Sequence, residues 1–151
     1  MLNDIYNKRI IELAGNIPRL GRLPDPDASA TAHSKLCGST VSVDLKLTDQ
    51  RVSAYGQTVK ACLLGQAAAS VMGHNIIGST AEELRDVALK MRKMLKEGGS
   101  APQGRWADLA VLEPVKDYKA RHASTLLVFD AVEAALAKAE ARQEHVQHAG
   151  V

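Results

Sequence analysis

Between Val52 and Gly73 the chain changes its hydrophobic period. An alternating, strand-like run ends at Lys60 and Ala61, Cys62 follows at once, and behind it Gly65, Ala67, Ala68, Ala69 and Ser70 form a run of small residues. Alternation favours a half-buried strand, and a small-residue run of this length favours a tightly packed helix. Such a switch confines the chain to folds in which a sheet strand delivers a thiol to the start of a buried helix. Junctions of this kind, where backbone N–H groups converge, favour thiolates, so Cys62 is the leading functional candidate.

The other cysteine, Cys37, precedes a second alternating run, Thr40 to Leu47. Two junction thiols fit a shared site, and they fit two unrelated buried residues equally well. Upstream of Cys62, the turn at Thr48 to Gln50 joins Thr40–Leu47 to a strand at Arg51–Val59. A further strand around Ala30 to Leu36 would complete a three-stranded antiparallel sheet and carry Cys37 to its edge.

Helical patterns surround this sheet. Leu2, Ile5, Tyr6, Ile10, Leu13 and Ala14 make one stripe, with Asn3 and Asp4 as early caps or first-turn acids. Residues 17–30, with three prolines, read as an ordered loop or a mobile lid. Thr80 to Glu83 is a capping-box pattern for a helix through about Glu97, with Met91 and Met94 as core filler. Residues 98–104 read as a flexible linker, Trp106 to Leu112 as a short helix stopped near Pro114, and His122 to at least Gln143 as the last long helix, with a frayed tail at 144–151. The expectation is one α+β domain over 1–151, core about 2–140, with the sheet packed against several helices on one side.

Composition narrows the function classes. Nineteen basic against 17 acidic residues give a net charge of +2, too balanced for a nucleic-acid surface. No window approaches membrane-spanning length and no cleavable leader is visible, so the expected location is cytoplasmic, with reduced thiols rather than a disulfide. Paired CxxC units, a Walker loop and GxSxG are all missing, which leaves no conventional hydrolase or nucleotide-binding set. His122, in KARHAS, enters the last helix at a third junction and could join two thiolates around a metal. A histidine at a helix start is also commonly a cap or a surface residue. His33 is a reserve ligand, and His145 and His148 read as solvated.

The order of these features resembles the iron–sulfur cluster assembly scaffold family, the NifU N-terminal domain or IscU-like fold: a helix, a proline-bearing loop, Cys37-Gly38-Ser39, the sheet, Cys62 before a small-residue helix, and Arg121-His122-Ala123-Ser124 entering a long helix. Residues 98–115 look like the insertion of the SufU-type branch. The resemblance implies a site that accepts sulfur and binds iron or zinc, with Cys37 and Cys62 as the first two cysteines and His122 as the neighbouring histidine. It implies a transient iron–sulfur cluster or zinc, a cysteine desulfurase and recipient apo-proteins as partners, and a scaffold or carrier rather than an enzyme. Where the family has Cys-Gly-Asp the chain has Ser39, and at the third cysteine it has Ala123 with Ser124 beside it. Two thiolates and one imidazole fall short of four ligands, so a partner's thiol, a small thiol or a homodimer would complete the shell. A divergent member that binds or regulates the sulfur-mobilisation machinery without building clusters is the alternative, and a zinc-dependent sulfurtransferase a third reading.

Overall fold

The structure, a computed structural model, describes residues 7–35 and 38–149. Leu2, Ile5, Tyr6, Asn3 and Asp4 lie outside the described residues, as does Cys37. Helix α1 (Lys8–Gly15) starts at Asn7, whose side chain accepts from the Ile10 amide at 3.0 Å. It buries Ile10, Leu13 and Ala14.

Strands β1 (Ala28–His33), β2 (Thr40–Thr48) and β3 (Arg51–Lys60) form an antiparallel sheet in the order β1-β2-β3. Strand β1 starts two residues earlier and ends three earlier than the alternation suggested. Beyond it the Ser34 amide donates to the Ser39 carbonyl and the Gly38 amide to the Ser34 carbonyl, both at 2.9 Å, so Ser34, Gly38 and Ser39 close a turn after the strand. Thr40 pairs with Lys60, which puts this turn at the end of the sheet where β3 leads to Cys62.

The two faces of the sheet differ in chemistry. Val41, Val43 and Leu45 are at most 1% exposed and share a face with Tyr55, Gln57 and Val59 across the register. Helices α2 (Leu63–Asn75) and α4 (His122–Ala149) pack on the sheet. Buried Gln57 is fully engaged: its Nε2 donates to the carbonyls of Ala69 at 3.0 Å and Pro18 at 3.1 Å, and its Oε1 accepts from Tyr55 at 3.0 Å. On the opposite face Asp44, 2% exposed, accepts from the Leu23 amide, the Arg22 guanidinium and the Ser29 hydroxyl. The proline-bearing loop is therefore pinned across the sheet. The Gln57 backbone adds two bonds to the same loop: the Gly21 amide donates to the Gln57 carbonyl at 2.8 Å, and the Gln57 amide donates to the Arg19 carbonyl at 3.0 Å.

Helix α3 (Ala81–Glu97) opens on Thr80, whose hydroxyl accepts from the Glu83 amide at 3.1 Å, and closes on Gly98 in the left-handed conformation. The segment expected as a short helix ending near Pro114 is instead a run of 3-10 turns from Gly104 to Asp117 that passes through the proline. Buried Trp106, Leu109, Leu112 and Val115 recur every third residue, and a helix with three residues per turn stacks such a stripe on one face. A second 3-10 turn, Lys119–Arg121, leads into α4, whose backbone stays helical to Ala149 through most of the tail expected to fray. No helix among the described residues is long and apolar enough to cross a membrane.

Candidate functional site

Strand β3 ends at Lys60, and Cys62 is the N-cap of α2. Its backbone is extended (φ −65°, ψ 170°), and its side chain makes no capping bond to its own helix. The thiol instead points across to α4, where its Sγ lies 3.3 Å from the Ser124 Oγ. Cys62 is half-buried.

Ser124 is 2% exposed and sits in the first turn of α4. Its hydroxyl also donates to the Arg121 carbonyl at 3.3 Å, an oxygen that takes a second bond from the Thr125 hydroxyl at 2.7 Å. The contact depends on a close crossing of α2 and α4 at Gly65. A Cβ there would lie 2.8 Å from the Ala61 Cβ and 2.9 Å from the Ser124 carbonyl oxygen, closer than a side-chain carbon can sit. The small-residue run after Cys62 is thus what lets the two helix starts meet.

Ala123, the position that the resemblance put in place of the third cysteine, does not face this thiol. It is exposed and lines a pocket of about 420 Å³ with Leu95, Lys96, Lys116, Lys119 and His122. One residue further round the helix turns through about 100°, and that rotation brings Ser124 to Cys62. The side chain opposite Cys62 is therefore a hydroxyl one position later than the sequence comparison of motifs implied.

His122 is buried, and its Nε2 donates to the carbonyls of Val115 at 3.0 Å and Lys116 at 3.1 Å. Two carbonyl acceptors require a proton on Nε2, which leaves Nδ1 with the lone pair in the neutral ring. Both carbonyls belong to the 3-10 segment Gly104–Asp117. Ser39 is 4% exposed and directly precedes the Thr40–Lys60 pair at the same end of the sheet. His33 is exposed, with its Nδ1 3.3 Å from the Thr40 hydroxyl. Among the described residues, no three His, Cys, Asp or Glu side chains converge in a way that could hold a metal ion.

A polar anchor that the motifs did not single out lies on α3. Glu83 accepts from the Trp106 indole at 2.8 Å, the Arg105 guanidinium at 2.8 Å and the Ser79 hydroxyl at 3.2 Å. Burial pushes its carboxyl up, but the bonds from Trp106 and Arg105 outweigh this and hold it below the ordinary carboxylate value. Glu83 thereby fastens the 3-10 segment whose carbonyls receive His122. The only trace of this in the sequence is a Trp after an Arg, downstream of a capping-box glutamate.

The family described as the NifU-like N terminal domain matches residues 5–125. The chain belongs to that family. This NifU-like domain is 26% identical over 134 residues to the iron-sulfur cluster assembly scaffold protein IscU of Thermotoga maritima, covering 89% of this chain and 94% of that one. It is 60% identical to the N-terminal part of a nitrogen-fixing NifU-like protein from Brucella abortus, with a TM-score of 0.91 over 92% of this chain and 96% of that chain. A SUF-system iron-sulfur cluster assembly scaffold candidate from Fervidobacterium islandicum, 21% identical, shares the fold with a TM-score of 0.80 over 89% and 98%. The family is thus that of iron–sulfur cluster assembly scaffolds, and the α+β architecture of this NifU-like domain, with its three-stranded antiparallel sheet and helices, is the one its relatives share.

Proposed function

We propose that this NifU-like domain receives sulfur and holds iron, or zinc in its place, at a site built on Cys62 with Cys37, as an intermediate carrier in iron–sulfur cluster assembly. The observation that supports this is the Cys62 thiol itself: it sits at the start of α2, makes no capping bond to its own helix, and belongs to a residue that is only half-buried. Sulfur acceptance is an attack by the Cys62 thiolate on the outer sulfur of a donor persulfide. One S–S bond forms on Cys62, the donor's S–S bond breaks, and its thiolate leaves, so no external oxidant enters. A cysteine desulfurase is the donor class, and apo-proteins that lack a cluster are the recipients. His122 would serve as an auxiliary ligand only through Nδ1, since a histidine ligand typically donates its other ring nitrogen to a carbonyl or carboxylate.

Anaerobic reconstitution with ferrous iron and sulfide, followed by visible absorption and metal analysis, tests the reading. The wild-type protein should take up iron in a fixed ratio and colour, while Cys62→Ala and Cys37→Ala should not. A second reading is a family member that binds the sulfur-mobilisation machinery without assembling clusters. It is favoured by the hydroxyls of Ser39 and Ser124 at positions where thiolate or carboxylate ligands would be stronger. Under that reading all three proteins stay colourless and metal-free, yet still bind the desulfurase.

A further inference from the structure

We infer that the face around Cys62 is a cationic docking surface for an acidic protein, the one that presents the donor persulfide. This rests on the carrier reading above and extends it to how the donor is captured. Over most of the molecule the basic side chains are already engaged. Arg22, Arg85, Arg92 and Arg105 each pair with a carboxylate, and Arg51 and Lys138 donate to backbone carbonyls. Such groups have little left to offer a partner.

Around Cys62 the pattern reverses. Lys60 ends β3 two residues before the thiol, and the carbonyl of Arg121 accepts from Ser124, the side chain that touches it. Lys96 on α3 and Lys119 in the second 3-10 turn line the pocket of about 420 Å³ together with Lys116. Lys35 follows Ser34, whose amide is tied to Ser39 beside the Thr40–Lys60 pair. Among the described residues, the side chains of Lys35, Lys60, Lys96, Lys119 and Arg121 make no ion pair and no hydrogen bond, and Lys116 reaches only Glu113, at 3.2 Å. Away from this face Lys8 on α1 is likewise unpaired, and Lys93 lies one turn before Lys96 on α3. The acids on the same segments, Glu97, Glu113 and Asp117, leave the face with a surplus of positive charge.

Like charges gathered on one face repel one another, and a partner's carboxylates relieve that repulsion. With a Debye length of about 8 Å at physiological salt, the field reaches past the side chains and steers an acidic surface toward them. The cations flank the thiol on its sheet side and on its helix side, and the centre between them is apolar: Val59, Cys62 and Leu63 are each half-buried. An apolar centre within a charged rim is the anatomy of a protein–protein contact. Acids interspersed among the lysines break up the continuous basic stripe that a phosphate backbone calls for. An acidic partner drawn to this rim arrives with its own surface over Cys62, where a persulfide must be delivered.

Stopped-flow association with a purified cysteine desulfurase from the same organism tests this, with persulfide on Cys62 read separately by peptide mass spectrometry. Wild type should associate at least about tenfold faster at about 20 mM than at about 500 mM sodium chloride. Lys96→Glu/Lys119→Glu should slow association at least about tenfold at low salt and change dissociation by no more than about threefold. Lys46→Glu/Lys90→Glu makes the same change in net charge away from this face and should stay within about twofold of wild type. Matching urea midpoints confirm that both variants fold. If the two variants slow association equally, or salt has no effect while persulfide still reaches Cys62, the docking surface is overturned and the carrier reading stands. If the desulfurase neither binds nor loads Cys62 at any salt, the carrier reading fails and takes the surface with it. Duplex DNA bound by wild type and lost in Lys96→Glu/Lys119→Glu would overturn the assignment to a protein.

Discussion

Cys62 and Ser124 meet because residue 65 has no side chain. Gly65→Ala must move either the Ala61 methyl or the Ser124 carbonyl, both of which would lie under 3.0 Å from the new carbon. Overpacking of this kind costs about 1–3 kcal/mol, so urea unfolding should show a lower midpoint with an unchanged slope. Asp44 makes a comparable prediction on the other face of the sheet. Replacing it by Asn removes the charge that holds Arg22 and the Leu23 amide, which lowers stability by about 1–3 kcal/mol for a buried, charge-assisted acceptor. The Arg22 side chain is 69% exposed, so most of that loss belongs to the amide and the Ser29 hydroxyl rather than to the ion pair.

Among the elements, the 3-10 run Gly104–Asp117 carries consequences out of proportion to its regularity. Its apolar stripe fills the space between α2 and α3, and its carbonyls at Val115 and Lys116 fix the imidazole of His122. Trp106→Phe keeps the ring in the core and deletes the indole bond to Glu83. That change should destabilise the protein by about 1–3 kcal/mol, since the acceptor is charged, as measured by thermal or urea unfolding followed by far-ultraviolet circular dichroism. Strands β2 and β3, by comparison, were readable from alternation, and the Thr80 cap of α3 from its capping-box pattern, whereas β1 lies at Ala28–His33 rather than around Ala30 to Leu36. The 3-10 segment was misread as a short helix because a period of three and a period of 3.6 agree over the first two turns. They part only when Trp106, Leu109, Leu112 and Val115 are taken together.

At the scale of the whole molecule, two carboxylates tie separate parts of the chain together and make the fold sensitive to acid. Asp44 and Glu83 both titrate below their ordinary values of 3.8 and 4.5. For Asp44 burial pushes upward, and the bonds from Arg22, Ser29 and the Leu23 amide more than offset it. A carboxyl whose pKa is lower in the folded state than in the unfolded chain releases its proton more readily when folded. The stability it contributes is complete above the unfolded value and is lost as pH falls through the folded one. Unfolding free energy should therefore fall as pH drops from about 4.5 through 3.8 and below. Asp44→Asn should flatten the lower part of that decline, which a urea series at stepped pH would read directly.

The sequence by itself determined strands β2 and β3, the Thr80 cap and the junction cysteine, because each depends on residues close together in the chain, and the family, because the order of its motifs along the chain needs no folding to be read. Alternation needs only neighbours two apart, a cap only the next turn, and a small-residue run announces a close crossing without saying what crosses. Only the tertiary structure decided that Ser124 and not Ala123 faces Cys62, that Glu83 holds the 3-10 segment, and that Asp44 is buried under the proline-bearing loop. Those outcomes join residues 62, 23 and 21 positions apart. They depend on how far α4 is rotated where it leaves the Lys119–Arg121 turn and on which loop covers the outer face of the sheet. Rotation about a helix axis is set by packing against other elements, and no local pattern in the chain encodes it.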